Sequence, residues 1–327
     1  MLIRSAQGMG LHRDGEHFHL PALECEIRRR LWYQILGYDA RVGEDHGLST
    51  GGFGGFCDTK LPLNVDDRDL CPNMKVSPAS KPQWTDMTMF LVVTEMKQAF
   101  QEVSQLSSAV LNESDKRTSL EQLLRVTRAR MKNRYLQHCD ANIPIQKSTL
   151  LLGRVLMGKL EVLVRLQDFR GLNAEESAAR ASEGTLSLAC ETIEMGNELK
   201  TDELLNNFHW LFSAYTQYHL LTYVLWHLCI RPDEHCASQA WEMVDKSFSL
   251  VEDPCRPSPG SKWNVLRKLR EKALDIRYSF ASTSNATNDV QVDESSVPAL
   301  GDGMVWDLDS IYFPDLAPSE FWNRGIM

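Results

Sequence analysis

The sequence lacks the cysteine spacing of a zinc knuckle. Its eight cysteines lie at positions 25, 57, 71, 139, 190, 229, 236 and 255, and no two of them are three residues apart. A Cys-x-x-Cys pair is therefore absent. A chain of 327 residues can bury a core without a disulfide framework, and its first residues do not resemble a signal peptide. We expect reduced thiols in an intracellular protein.

Catalytic motifs are also missing. The chain has neither a Gly-x-Ser-x-Gly elbow nor a His-Glu-x-x-His helix motif. Its best candidate for chemistry is a group of histidines and carboxylates, namely His12, His17, His19, Asp14, Glu16 and Glu24. His17 and His19 are two residues apart, which suits a strand, and no strand is indicated there. We interpret the group as a polar turn and expect no metal and no cofactor. A helical metal-dependent or cysteine enzyme is the alternative.

Positive charge is scarce. The chain has 35 basic and 44 acidic residues, a net charge of −9. Residues 285–327 hold eight acidic residues and one basic residue, so most of the imbalance lies at the C-terminus. The whole chain has no general attraction to nucleic acid, and we expect it not to bind duplex DNA specifically by itself. The basic stripe on the predicted helix 120–135 is interpreted as a solvated face; it comprises Arg125, Arg128, Arg130, Lys132 and Arg134.

Strands are absent from the pattern, because no segment alternates clearly between apolar and polar residues. Apolar residues instead recur every three or four positions, which predicts an all-α protein of ten or more helices. Helices are expected at 89–103, 120–135, 150–169, 208–230, 240–250 and 263–280, and from Asn173 past Cys190. Thr118–Glu121 has the pattern of a capping box. The run 208–230 carries no formal charge, but its polar side chains favour a buried helix over a membrane span.

The first seventy residues contain the strongest helical pattern. One predicted apolar face comprises Leu23, Ile27, Leu31, Ile35, Tyr38 and Val42. We expect Leu31 and Trp32 to anchor this helix and Arg29 to be solvated. Glu26 precedes Arg30 by four residues, the favourable order for an ion pair on an exposed helical face. Residues 43–55 predict a surface loop, and Leu61-Pro62 predicts an extended segment lying on the helices.

The same region resembles a known family. The residues that carry the resemblance are Leu11, His12, Arg13 and Asp14, then Glu26, Arg28, Arg29, Arg30, Leu31 and Trp32, then Asp39, Leu61 and Pro62. Together they are similar to the signature of the fungal-specific transcription factor domain, the helical regulatory region of fungal zinc-cluster transcription factors. The resemblance covers roughly residues 5–277. It departs from many members at Trp32-Tyr33, where they have two tryptophans, and at Gly47-Leu48-Ser49, where they have Gly-Arg-Pro.

The resemblance implies a nuclear regulator of transcription, by family analogy of a metabolic gene cluster, that is not an enzyme. It also allows a homodimer. Members normally begin with a six-cysteine zinc cluster that grips DNA, and this chain has none. We therefore expect residues 1–280 to be an N-terminally incomplete regulatory domain and residues 281–327 to be a disordered acidic tail.

The predicted tail combines acids with bulky apolar residues. Its candidate anchors are Trp306, Leu308, Tyr312, Phe313, Leu316, Phe321 and Trp322. This composition is typical of an acidic activation segment, in which repulsion keeps the anchors exposed until they bind a transcriptional coactivator or another protein. The alternative is a C-terminal arm that docks on its own domain.

Overall fold

A computed structural model describes residues 2–46, 57–169, 172–213, 217–252 and 261–286. These ranges contain eleven α-helices and no β-strand, so the all-α prediction is confirmed. The helices are α1 (Leu2–Gly8), α2 (Ala22–His46), α3 (Thr88–Ser108), α4 (Glu113–Arg134), α5 (Pro144–Leu166), α6 (Ala174–Arg180), α7 (Glu183–Thr201), α8 (His209–Ser213), α9 (Tyr218–Ile230), α10 (Ala237–Val251) and α11 (Ser261–Ala286). The seven candidate anchors of the tail, Trp306 to Trp322, lie outside the described residues.

The chain forms two compact units, and the boundary between them falls within α5, after Leu160. In the first unit, α3 and α4 bury apolar residues that include Met96, Val103, Leu120 and Met131. The carboxylate of Glu95, also buried, accepts hydrogen bonds from the Tyr135 hydroxyl and from Arg134 Nη1. Part of the basic stripe on α4 is therefore paired with an acid of the preceding helix.

The capping box predicted at Thr118–Glu121 is wrong. These residues lie inside α4, and the Thr118 hydroxyl donates to the carbonyl of Ser114, one turn earlier. The helix begins at Glu113, where the Asn112 side chain accepts a hydrogen bond from the Asp115 amide at 2.8 Å. Asparagine is a favoured N-cap, and the Ser/Thr-x-x-Glu pattern is not unique to helix starts.

The face predicted for α2 is also wrong. Ile27, Leu31 and Tyr38 are 52%, 46% and 59% exposed, whereas Arg29 is 3% exposed. The buried face instead comprises Cys25, Glu26, Arg29, Trp32, Tyr33, Ile35 and Leu36. Leu31 is therefore not an anchor and Arg29 is not solvated. The helix is rotated away from its most regular apolar stripe because two of its charged residues are buried with partners.

In the second unit, Asn173 opens a helix as predicted, with a complete capping box that also uses Glu176. The prediction that this helix continues past Cys190 is wrong, because α6 ends at Arg180 and Ser182 caps a new helix, α7. The Ser182 side chain accepts a hydrogen bond from the Thr185 amide. A second N-cap within nine residues ends one helix and starts the next.

The apolar run predicted as one helix over 208–230 contains α8 and α9, which are separate elements. Every residue of α9 from Leu220 to Leu228 is buried, and the prediction of a helix buried on most sides is confirmed for this segment. In the part of the chain that the structure describes, no helix is both long enough and apolar enough to cross a membrane.

Candidate functional site

The signature residues surround one buried carboxylate, that of Asp14. Arg29 of α2 donates to it twice, from Nε to Oδ2 and from Nη2 to Oδ1, both at 2.8 Å. The amide of Glu16 donates to Oδ1 at 3.1 Å, so Asp14 also caps the short 3-10 helix Gly15–Phe18. The amide of Lys60 donates to Oδ2 at 3.0 Å. With Asp14 only 1% exposed, one carboxylate joins three chain segments out of contact with water.

Hydrogen bonds determine the charge states of the buried Asp14 and Arg29 side chains. Burial alone raises the pKa of Asp14, but the hydrogen bonds from Arg29, Lys60 and Glu16 outweigh it and lower the pKa well below its usual range. The hydrogen bonds from Arg29 to Asp14 and Glu16 likewise raise the pKa of the guanidinium. Both side chains therefore stay charged, and a two-pronged Arg–carboxylate bond fixes their geometry.

The turn passes so close to α2 at Gly15 that this position requires a glycine. A Cβ atom on Gly15 would lie 2.8 Å from the Cys25 sulfur and 3.2 Å from the Cys25 Cα. Such contacts are shorter than packed atoms allow, so any larger residue at position 15 would push the turn away from the helix. The close approach is what brings Asp14 within reach of Arg29.

Residues 57–66 form the extended segment that Leu61-Pro62 predicted, and they lie on the turn and on α2. The Thr59 hydroxyl donates to the Leu11 carbonyl at 2.8 Å, and the Tyr33 hydroxyl donates to the Thr59 carbonyl at 3.0 Å. The Asp14 amide donates to Asp58 at 2.8 Å. The segment is neither helix nor strand, so its backbone groups need partners elsewhere. The amides of Asp58, Lys60 and Leu63 donate to the His12 carbonyl, to Asp14 and to Glu26.

A second buried carboxylate, Glu26, repeats this arrangement one turn away. Both of its oxygens accept from the Leu63 amide at 3.2 Å, and Oε1 accepts from Arg30 Nε at 3.0 Å. Arg30 also donates to Asp67 at 2.6 Å. The predicted Glu26–Arg30 pair exists, but Glu26 is 1% exposed, so the pair does not lie on an exposed face.

Aromatic and apolar side chains fill the space beside these charges. Trp32 packs in a cluster with Ala6, Leu11, Tyr33, Ile35 and Leu36. Its indole N–H donates to the Cys57 sulfur at 3.1 Å. Leu61 packs against the cluster and Pro62 is buried.

The other signature residues lie at the edge of the arrangement. Arg13 pairs with Asp58 at 2.7 Å, and Arg28 donates to the carbonyl of Gly10 at 2.8 Å. Asp39 is half-buried on α2. These contacts tie the turn to the helix and to the extended segment.

The three histidines of the turn have separate surroundings. The ring of His12 lies 6.3 Å from that of Trp32, His17 lies 3.3 Å from Asp58, and His19 has a left-handed backbone that ends the 3-10 helix. Asp14 and Glu16 are both engaged by Arg29. The arrangement neutralises its charges internally, and its evident role is to hold three segments together.

Sequence analysis missed a different cluster, in the second unit. Glu183, His235 and Cys236 place one ligand atom each within 4.8 Å of the others. Among the described residues it is the one group of three or more His, Cys, Asp or Glu side chains whose ligand atoms lie this close together. Glu183 lies more than fifty positions before the other two, so no spacing motif could have indicated it.

No family model matches the chain, and no solved structure matches it. It is 28% identical over 253 residues to transcriptional regulator AacuB of Aspergillus aculeatus, covering 76% of this chain and 34% of that protein. It is 26% identical over 294 residues to the aurofusarin cluster transcription factor aurR2 of Gibberella zeae, covering 87% of this chain and 43% of the relative.

A third relative is the C6 finger domain transcription factor hasF of Aspergillus fumigatus, which is 22% identical over 304 residues, covering 84% of this chain and 39% of that protein. The chain thus spans less than half the length of these curated relatives. The similarity extends far beyond the signature and includes both compact units. The chain is therefore similar over most of its length to fungal transcription factors.

Proposed function

We propose that the chain acts as the regulatory part of a fungal transcription regulator, and that its target is a metabolic gene cluster. The observation that carries the proposal is similarity to named transcription regulators over 76–87% of the chain. One of these relatives is named for the aurofusarin cluster. The signature arrangement around Asp14 supports it, because it ties the turn, α2 and the extended segment into one rigid element without forming a reactive centre.

We further propose that the chain is not an enzyme and that it resides in the nucleus. Asp14, the buried carboxylate of the candidate group, is held by Arg29 and by backbone amides, so its geometry suits a structural role. A depressed pKa on Asp14 leaves it a weak proton acceptor, unlike a general base, which works best with a pKa near the operating pH. We infer nuclear residence because the relatives are named as transcription factors or transcriptional regulators.

We propose that the C-terminal segment of the protein activates transcription. Residues 297–327 combine acids with the seven candidate anchors from Trp306 to Trp322. We expect them to bind a coactivator, with the aromatic side chains as the main contacts.

The test is to fuse residues 297–327 to an unrelated DNA-binding domain and to measure a reporter gene. We expect activation, and we expect the double substitution Trp306→Ala with Phe313→Ala to abolish it. Replacing one acid with Asn should change little, whereas replacing most of them should silence the segment. An inert fusion, together with a lower melting temperature for a chain ending at Ser296, would instead show that the segment is a structural arm.

Two further expectations concern DNA binding and homodimer formation. We expect the purified chain not to bind duplex DNA with nanomolar affinity at about 0.15 M salt, because its net charge is −9 and it has no zinc-cluster spacing. Specific binding under these conditions would contradict this. The homodimer stays a prediction, and light scattering after size-exclusion chromatography would measure it.

A further inference from the structure

The cluster Glu183–His235–Cys236 brings together three different ligand types on adjoining helix starts. Glu183 is the first residue of α7, and Cys236 is the residue before α10. The Cys236 thiol donates to Glu183 Oε1 at 2.8 Å. His235 and Glu183 are exposed, and Cys236 is partly exposed, so a dissolved ion has access to all three.

The loop that carries His235 and Cys236 is held on both sides. Arg231 donates to Glu234 Oε1 at 3.0 Å and to the Ala178 carbonyl at 3.1 Å. The ring of His227, which is fully buried, lies 2.7 Å from Glu234 Oε2. Glu234 is thus occupied by Arg231 and His227, and it leaves Glu183 as the carboxylate of the cluster. The ligand positions are fixed by neighbours that take no part in binding, as in sites where surrounding groups orient the ligands.

We propose that Glu183, His235 and Cys236 bind a zinc ion. Carboxylate oxygen, imidazole nitrogen and thiolate sulfur are all zinc ligands, with bonds of about 2.0–2.3 Å, and three protein ligands leave a fourth position for water. Tetrahedral bonds of this length place ligand atoms roughly 3.3–3.8 Å apart. The three ligand atoms lie within 4.8 Å of one another, so rotations that move each of them by about 1 Å would complete the site. The mixed donor set suits zinc better than calcium or magnesium, which prefer oxygen.

Zinc binding at this cluster releases one proton. The Cys236 thiol releases its proton to solvent, its hydrogen bond to Glu183 is replaced by a bond from sulfur to zinc, and His235 binds as the neutral ring. One carboxylate and one thiolate then neutralise the two charges of the ion. The bound ion would link the start of α7 to the start of α10, and it would stabilise the folded chain by binding it in preference to the unfolded one.

The test uses the full chain and the metal alone. Cobalt(II) replaces zinc in such sites and gives an absorption band in the near ultraviolet when a thiolate binds it. We expect one equivalent of cobalt to produce this band, one equivalent of zinc to remove it, and zinc to raise the melting temperature. Cys236→Ser should abolish the band, whereas Cys71→Ser, at an exposed cysteine outside the cluster, should leave it unchanged.

Two further variants distinguish the loss of a zinc ligand from a failure of the chain to fold. Glu183→Gln keeps an acceptor for the Cys236 thiol, so it should fold normally yet bind zinc at least about tenfold more weakly. His235→Ala should weaken binding to a similar degree. A band that persists in Cys236→Ser, equal affinity in Glu183→Gln, or the absence of any cobalt band in the folded wild-type chain would each overturn the proposal.

Discussion

Two buried helices of this protein are held in different ways. On α9, all nine residues from Leu220 to Leu228 are buried, and seven of them are apolar or aromatic. On α2, the buried face includes Glu26 and Arg29, while Ile27 and Leu31 are exposed. Burial of α9 follows from the hydrophobic effect. Burial of α2 also depends on charged groups that find partners on the turn and on the extended segment.

The difference shows when hydropathy alone is enough to assign the buried face of a helix. A helix that is mostly apolar all round leaves little choice of buried face, so its pattern indicates its environment directly. A helix with both apolar and charged stripes can bury either one, provided that buried charges are paired and hydrogen-bonded. That condition is met in α2, because Asp14 of the turn pairs with Arg29, and Glu26 accepts from Arg30 and from the Leu63 amide. These bonds reverse the assignment made from periodicity.

The largest expected effect comes from breaking the buried pair. Arg29→Met should lower the free energy of unfolding by about 3–5 kcal/mol, because it leaves the Asp14 charge buried without its main partner. Chemical denaturation followed by circular dichroism measures this. Arg125→Ala, at an exposed position of α4, is the matched control and should change stability by at most about 0.5 kcal/mol. Equal results for the two variants would show that Arg29 is solvated after all.

The comparable change in α9 removes apolar contacts. Leu225 is fully buried, and Leu225→Ala should cost about 2–5 kcal/mol through lost burial and the cavity left behind. Leu204→Ala, at an exposed leucine of the same unit, should cost far less. The same denaturation measurement decides the matter, and a stable Leu225→Ala variant would mean that the α9 environment is loosely packed.

Acid should next weaken the buried pair that Asp14 forms with Arg29 of α2. The pKa of Asp14 is lowered from its ordinary value of 3.8 in the folded chain, so the folded state resists protonation there. Its contribution is complete above a pH of about 4 and is lost as the pH falls, since the unfolded chain then binds the proton more readily. Stability measured from pH 5 to pH 2 should therefore fall less steeply in Asp14→Asn than in the wild type. Parallel curves would exclude this linkage.

The smallest effect is expected at the residue first assigned to the core. Leu31→Ala should change the free energy of unfolding by at most about 0.5 kcal/mol, because Leu31 is 46% exposed. Leu36→Ala, on the buried face of the same helix, should cost about 2–5 kcal/mol. A thermal melt of both variants tests the corrected face. If Leu31→Ala were the more damaging of the two, the original assignment would be restored.

Sequence patterns located the helices better than they located the contacts. The existence of α2, α3 and α5 follows from periodicity, because each helix repeats apolar residues every three or four positions, whereas α9 lies in a run without formal charge. The cap at Asn173 followed from residue type, and the break at Ser182 was missed because a capping residue inside a helical pattern gives only a weak local signal.

The bonds of the signature could not be predicted in the same way. The partners of Asp14 are Glu16, Arg29 and Lys60, and the last of these lies 46 positions away. Spacing along a chain indicates neighbours on one helix, not partners on another segment. The cluster of Glu183 with His235 and Cys236 was invisible for the same reason.

The bonds on either side of residues 47–56 have a consequence for chain length. Arg29 holds α2 to Asp14, and the amides of Lys60 and Leu63 hold the following segment to Asp14 and Glu26. The relative register of the two flanks is thus set by these bonds and not by the residues that connect them. The sequence predicts a surface loop over 43–55, and loop-closure entropy rises by only about 0.6 kcal/mol for each doubling of loop length. We therefore expect the chain to tolerate a tag or a reporter peptide inserted after Ser49.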